Sequence, residues 1–213
     1  MLPTCQKPKD LNIWSVTIIL LLKMDNEKLN ILKLLIENQE EPFSIRKISQ
    51  LRKINYKSAY YALRKLGDEG IALLKQYGNT TLCSFNRSFN DSVFVVENER
   101  RKELLKNKDF LVMYNDLRRV NAPFIVLLFG SYAQGRETRH SDIDLLVITE
   151  DFKPIQQVLS LFPLKIHATD IRYKDFVEML KSKEFTVVSE AIKNNIILIG
   201  IEEYYRVMGN ANR

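Results

Sequence analysis

The stretch FIVLLFGSYAQGRETRHSDIDLLVI, residues 124–148, decides the fold of the C-terminal half of the chain. It begins with six consecutive apolar residues, which predict a strand that is buried on both faces. Gly130 then marks a turn, because glycine adopts backbone dihedrals that other residues avoid and lets a ligand approach the main chain closely. A second strand is predicted at residues 143–148, where Asp144 is followed by the apolar run 145–148. The stretch therefore predicts a strand, a glycine turn and a second strand.

Two carboxylates stand at the start of the second strand. Side chains of a strand alternate between faces, so Asp142 and Asp144 are expected on one face and Ile143 and Leu145 on the other. Like charges this close repel each other unless a cation lies between them, and hard cations prefer oxygen ligands. We therefore expect Asp142 and Asp144 to bind Mg²⁺. Two ions are expected, because a pair of ions can stabilise the entering and the leaving oxygen of an in-line displacement.

The turn after the first strand has the features of a phosphate site. Gly130 and Ser131 are small, and a short helix beginning there would point free N–H groups at an anion. Arg136 and Arg139 flank the turn, and guanidinium groups suit phosphate oxygens; the alternative is that both are exposed loop arginines. His140 is interpreted as a loop histidine, because Mg²⁺ prefers oxygen ligands.

The motif GSYAQG at residues 130–135, followed by SDIDL at residues 141–145, resembles the signature of the DNA polymerase β-like nucleotidyltransferase superfamily, in particular its minimal nucleotidyltransferases. The resemblance covers roughly residues 98–203. It implies that Gly130 and Ser131 hold a nucleoside triphosphate, with ATP the expected nucleotide, and that Asp142 and Asp144 bind the divalent metal. The implied reaction moves a nucleoside monophosphate to an acceptor and releases pyrophosphate. Minimal members often act beside a HEPN-type partner protein in toxin–antitoxin pairs, so the resemblance makes such a partner possible.

Active members of that superfamily usually carry a third carboxylate on a later strand. The corresponding strand is expected at residues 164–171, where Asp170 is the only carboxylate and so the third catalytic residue that we expect. If Ile166 and Ala168 face the core, strict alternation puts Asp170 on the core face as well and His167 on the same face as Asp142 and Asp144. A bulge would restore Asp170; His167 is the alternative.

The N-terminal half predicts three helices and a hairpin. An apolar stripe predicts a helix from Asp25 to about Asn38, and Ser44 is suited to cap a second helix. A third helix is expected at residues 56–66, and strands at residues 71–77 and 81–85 are joined by a Gly78-Asn79 turn. This order resembles a winged helix-turn-helix of bacterial and archaeal regulators.

The segment from Ser44 to Leu66 contains no acidic residue, which favours contact with double-stranded DNA through its phosphates. The alternative is a solvated basic face on a protein-interaction module. The residues expected to contact DNA are Arg46, Lys47, Arg52, Lys53, Asn55, Lys57, Tyr60 and Arg64.

The amino-acid composition says less about the class of protein, its location and its partners. The chain has 213 residues, of which 46% are hydrophobic and 27% charged, as in ordinary globular proteins. Cys5 and Cys83 lie far apart, which argues against a disulfide framework and favours a cytoplasmic location. The net charge of +6 favours a polyanionic partner.

Residues 11–22 form the most apolar segment of the chain. They are fewer than the roughly twenty that a membrane-spanning helix needs, and no signal-peptide cleavage site follows. We therefore expect no membrane contact. Residues 1–24 are interpreted as an N-terminal extension that either docks as a helix or precedes a native start at Met24.

The expected fold class is α+β, with a winged helix-turn-helix domain at residues 25–96 and a nucleotidyltransferase domain at residues 97–213. The second domain is expected to open with a linker helix at residues 97–119 and to contain a small mixed sheet flanked by helices. The leading hypothesis is a Mg²⁺-dependent nucleotidyltransferase coupled to a DNA-binding domain, with a homodimer possible. The competing hypothesis is a DNA-binding transcriptional regulator whose transferase-like domain is inactive and senses a nucleotide or dimerises.

Overall fold

The computed structural model describes residues 13–181 and 186–211, and within them two β-sheets are surrounded by helices. In the N-terminal half the first sheet is antiparallel in the order β1-β3-β2. Gly78 has a φ of +55° in the turn between the last two strands. The elements are α1 (Ile13–Glu37), β1 (Phe43–Ser44), α2 (Ile45–Arg52), α3 (Tyr56–Asp68), β2 (Ala72–Tyr77) and β3 (Thr80–Phe85).

Side-chain caps fix where α2 and α3 begin. Ser44 Oγ accepts a hydrogen bond from the Lys47 N–H at 3.2 Å, and Asn55 Oδ1 accepts one from the Ser58 N–H at 2.7 Å. Each cap satisfies an N–H that the first helical turn leaves without a partner. Of the N-terminal extension, residues 1–12 lie outside the described residues, while residues 13–24 belong to α1, which continues unbroken to Glu37.

The C-terminal half contains a four-stranded mixed sheet flanked by helices, which confirms the predicted α+β class for this part of the chain. Its strand order is β6-β5-β4-β7; β4 runs antiparallel to β5 and β7, and β5 and β6 are parallel. The elements are α4 (Asp91–Leu104), α5 (Lys108–Leu117), β4 (Phe124–Phe129), α6 (Gly130–Ala133), β5 (Ile143–Thr149), α7 (Lys153–Leu159), β6 (Ile166–Ile171), α8 (Tyr173–Lys181), α9 (Val187–Lys193), β7 (Ile196–Ile199) and α10 (Ile201–Ala211).

Two segments differ from the sequence prediction. The linker helix expected at residues 97–119 is two helices, α4 and α5, because Asn107 caps a new helix by accepting a hydrogen bond from the Asp109 N–H at 2.9 Å. Helix α10 follows β7 and was not predicted. Its Tyr204 and Tyr205 are buried, with 2% and 3% of their surface exposed. Among the described helices, none is long and apolar enough to cross a membrane.

The central strand β4 is buried on both faces, as its continuous apolar run predicts. Val126 and Leu128 face a cluster formed with α5 and α7. Ile125 and Leu127 face a second cluster, which is continuous with the buried side chains of α1 and α3. The second cluster therefore contains residues of both halves of the chain, and the domain boundary expected between residues 96 and 97 falls inside α4.

A buried polar triad joins α4 to α10. Arg100 Nη1 donates to Glu97 Oε2, and the Tyr205 hydroxyl donates to Glu97 Oε1, both at 2.6 Å. Arg100 Nη2 also donates to the carbonyl of Asn195 at 2.6 Å. Burial, together with the Glu97 carboxylate, raises the pKa of Tyr205 well above its usual range, so its hydroxyl keeps the proton that it donates.

Removing the Tyr205 hydroxyl tests how much this triad stabilises the fold. In Tyr205→Phe a buried carboxylate oxygen loses its donor, and we expect a loss of about 1–3 kcal/mol in the free energy of unfolding. Tyr204→Phe is the matched control, since the Tyr204 hydroxyl is also buried but accepts only a long hydrogen bond of 3.5 Å from Asn195. Urea unfolding followed by circular dichroism should show the smaller loss for the control; equal losses would contradict the assignment.

Candidate functional site

Gly130 and Asp144 are in direct contact at one end of the mixed sheet. Asp144 lies opposite Phe129 in the β4–β5 register, and Gly130 follows at once with a φ of +70°. A Cβ atom at residue 130 would overlap Asp144 Oδ2. Residue 130 therefore has to be glycine for two reasons: its backbone is left-handed, and the Asp144 carboxylate occupies the space that a Cβ atom would need.

The two carboxylates lie on the same face of the sheet, and each has a basic neighbour, one within β6 and one just before its first residue. Lys165 Nζ donates to Asp142 Oδ2 at 2.7 Å, and His167 Nδ1 lies 3.6 Å from Asp144 Oδ1. Because these neighbours are two residues apart along the chain, they and the acids share one face. The Asp142 and Asp144 side chains are 35% and 30% exposed, so solvent reaches both carboxylates.

The structure does not bring Asp170 to this face, which corrects our expectation of a third acid there. The parallel register between β5 and β6 is regular, pairing Asp144 with His167 and Val147 with Asp170. Val147 points into the core cluster on the opposite face, so Asp170 lies on that face as well. The bulge that would have restored Asp170 does not occur, and His167 occupies the position beside the acids.

The turn after β4 is stabilised by an aromatic contact and a main-chain hydrogen bond. Tyr132 packs edge to face against Phe110 of α5, with ring centroids 5.5 Å apart, and the Arg136 N–H donates to the Ser131 carbonyl at 2.9 Å. Further along, the Thr138 N–H donates to Ser141 Oγ at 2.8 Å. The side chains of Arg136, Arg139 and His140 are exposed on this loop.

The chemistry of the acids suits a cation that also binds phosphate. Two carboxylates open to solvent supply hard oxygen ligands, and Mg²⁺ is commonly held by one or two carboxylates together with substrate phosphates. In the described part of the chain no three His, Cys, Asp or Glu side chains are grouped to hold a metal by themselves. Asp142 and Asp144 therefore fit a metal that substrate oxygens help to bind.

Lys165 is the site residue that sequence reasoning missed. It precedes His167 by two positions, so the same strand alternation that indicates His167 would also have indicated Lys165. Its side chain is 81% exposed, and an exposed ion pair of this kind contributes only about 0–1 kcal/mol to stability. Its place beside Asp142 is therefore of interest for the charge of the site rather than for the fold.

A cleft of about 980 Å³ adjoins the turn. One wall is the segment from Tyr132 to Arg136, and the opposite wall includes Glu37 and Glu40 from the end of α1 and the loop after it. Arg100 also lines the cleft, and its Nε has no hydrogen-bond partner among the described atoms. The volume is that of a typical ligand site.

Seven of the eight residues expected to contact DNA are exposed on α2, α3 and the turn between them: Arg46, Lys47, Lys53, Asn55, Lys57, Tyr60 and Arg64. The eighth, Arg52, is half-buried. Arg52 Nη2 lies 3.9 Å from Glu37 Oε2 and is shielded from solvent, and Asn55 Oδ1 caps α3.

Comparisons with known proteins confirm the resemblance for part of the chain. Residues 113–204 match the family described as Polymerase beta, Nucleotidyltransferase, and this segment contains Gly130, Asp142, Asp144 and Lys165. Among curated proteins no relative matches the chain. A solved structure described as "Crystal structure of the toxin-antitoxin with AMP-PNP" is similar to this chain at 19% identity and a TM-score of 0.34, covering 50% of this chain and 84% of that one.

Two glycine substitutions test the contact between the turn and the carboxylate. Gly135→Ala adds a Cβ at a φ of +62° with no described atom within 4 Å, so we expect only the backbone cost of about 1–2 kcal/mol. Gly130→Ala adds the overlap with Asp144 and should cost about 1–3 kcal/mol more in the free energy of unfolding.

Removing the carboxylate should remove this difference. In an Asp144→Ala background, Gly130→Ala is expected to cost about as much as Gly135→Ala in urea unfolding. An additional cost that persists without the Asp144 carboxylate would show that the overlap is not its cause.

Proposed function

We propose that this chain transfers a nucleoside monophosphate from a nucleoside triphosphate to a hydroxyl acceptor, with release of pyrophosphate. The observation that carries the proposal is the contact between the Gly130 main chain and the Asp144 carboxylate, with Asp142 on the same face. The contact supports a site in which the turn would bind phosphate and the two acids would bind the metal. The family match over residues 113–204 supports the same reaction class.

Each residue of the site has a role in this proposal. Gly130 and Ser131 let the triphosphate approach the main chain, and Asp142 and Asp144 would hold Mg²⁺, which neutralises phosphate oxygens in such reactions. Arg136 lines the cleft, and its exposed guanidinium could contact phosphate oxygens. Arg139 lies exposed on the same loop.

His167 is the group beside the acids that can move a proton. In its neutral form an imidazole accepts a proton from a hydroxyl, the task usually given to a third carboxylate in the families that this site resembles. The contact between its Nδ1 and Asp144 leaves Nε2 as the nitrogen that would face an acceptor.

We also propose that the N-terminal half binds double-stranded DNA as a winged helix-turn-helix. The order helix, strand, two helices and a two-stranded hairpin supports this arrangement. Helix α3 carries exposed Lys57, Tyr60 and Arg64, and α2 carries exposed Arg46 and Lys47. These side chains are free to neutralise phosphates along a groove.

The replacement of a third acid by His167 also favours a second candidate function. In this alternative the chain is a DNA-binding regulator whose transferase-like domain binds a nucleotide without turning it over. Nucleotide binding with no transfer would support it. The HEPN-type partner, the homodimer and ATP as the preferred nucleotide remain predictions from the resemblance.

The main proposal is tested by incubating the protein with Mg²⁺ and nucleoside triphosphates that carry a labelled α-phosphate. The measured quantity is the label transferred to an acceptor. Asp142→Asn and Asp144→Asn should each lower transfer by at least about 100-fold, because each removes a metal-binding oxygen. Asp170→Asn is the matched control, since Asp170 lies on the opposite face, and it should retain activity within about threefold. Transfer that survives both site substitutions together would exclude this site.

Salt-dependent binding tests the DNA proposal. We expect Lys57→Ala and Arg64→Ala each to weaken binding to double-stranded DNA and to reduce the slope of log K against log salt by about one. The control is Lys174→Ala, an exposed lysine on α8 paired with Glu178. Fluorescence anisotropy at several salt concentrations measures both quantities, and slopes unchanged in the α3 variants would contradict the proposed surface.

A further inference from the structure

The strand beside the acids supplies basic groups where a two-metal site needs a further acid. Lys165 Nζ lies 2.7 Å from Asp142 Oδ2 and His167 Nδ1 lies 3.6 Å from Asp144 Oδ1. Asp170 is held on the opposite face by the regular β5–β6 register. In the described part of the chain, no third His, Cys, Asp or Glu is grouped with the two aspartates to hold a metal.

This donor set fits one divalent cation and does not fit two. A pair of ions about 4 Å apart repel each other, and carboxylates that bridge or flank them offset this repulsion. With two carboxylates and an ammonium group, two divalent cations would leave three net positive charges before the triphosphate binds, whereas one cation leaves a single positive charge. The Lys165 ammonium already stands against Asp142, the acid that a second ion would need.

A two-ion site with three carboxylates and a one-ion site with two carboxylates and an ammonium group carry the same formal charge. Three carboxylates with two divalent cations leave one net positive charge, and two carboxylates with one divalent cation and one ammonium leave the same net charge. A triphosphate would meet a similar electrostatic environment in either case.

We propose that this site binds a single divalent cation together with a nucleoside triphosphate, and that the Lys165 ammonium takes the electrostatic place of a second ion. The inference rests on the proposed function, since it concerns the same site. Lys165 is assigned as a residue that binds the triphosphate, because its exposed side chain can contact phosphate oxygens while it remains beside Asp142.

Counting bound Mn²⁺ by electron paramagnetic resonance tests this assignment. The full chain is titrated with Mn²⁺ in the presence of a non-hydrolysable α,β-methylene nucleoside triphosphate, and a sample of nucleotide and Mn²⁺ without protein is the blank. We expect one protein-bound ion with the spectrum of an isolated Mn²⁺. The double variant Lys165→Ala/His167→Asp should bind two ions, whose spectrum is broadened by spin coupling at a separation of about 4 Å.

The outcomes separate this inference from the proposed function. Two coupled ions in the unaltered chain would overturn the single-ion assignment and leave nucleotidyl transfer standing. No protein-bound ion above the blank would overturn both. A double variant that is folded by circular dichroism and still binds one ion would show that Lys165 and His167 do not exclude the second.

Lys165→Ala alone provides a further test, because it keeps His167 and the fold. It should weaken binding of the triphosphate analogue by about tenfold, while Lys174→Ala, which removes an exposed lysine of α8 paired with Glu178, should leave it unchanged. Equal affinities for the two lysine variants would contradict the role given to Lys165.

Discussion

The absence of a side chain at residue 130 is the constraint on which the site depends. The left-handed backbone of Gly130 turns the chain directly after β4, and the missing Cβ leaves room for the Asp144 carboxylate. The register between β4 and β5 fixes this contact, because Phe129 and Asp144 are paired at the end of a ladder whose other side chains are buried. A shift by one residue would send Asp144 to the other face and bury a carboxylate in the core.

The N-terminal half packs against the C-terminal sheet through a shared cluster of buried side chains. Buried side chains of α1 and α3 are continuous with the sheet face that carries Ile125 and Leu127. The triad of Glu97, Arg100 and Tyr205 then ties α4 to α10. The cleft beside the turn has one wall from each half, so a ligand that fills it would contact both.

The sequence predicted those features of the candidate site that depend on neighbouring residues. It did not predict the features that depend on how distant segments pack together. The apolar run of β4, the glycine turn and the alternation in β5 each act within a few residues, and the same alternation indicated that Asp170 would miss the face of the acids. The pairing of Lys165 with Asp142 depends on which strands are neighbours. The turning of Arg52 toward Glu37 and the shared cluster depend on how the two halves pack, which no local periodicity specifies.

The central claim is that the turn at Gly130 and the acids Asp142 and Asp144 enclose one metal-bound triphosphate. Paramagnetic broadening of backbone amide signals in ¹⁵N-labelled protein tests it most directly, with Mn²⁺ and a non-hydrolysable nucleoside triphosphate added together. The account predicts that the signals of residues 130–131 and 142–144 broaden together, and that the broadening is lost in Asp142→Asn/Asp144→Asn. Broadening confined to another surface, or broadening of the turn that persists in the double variant, would contradict it.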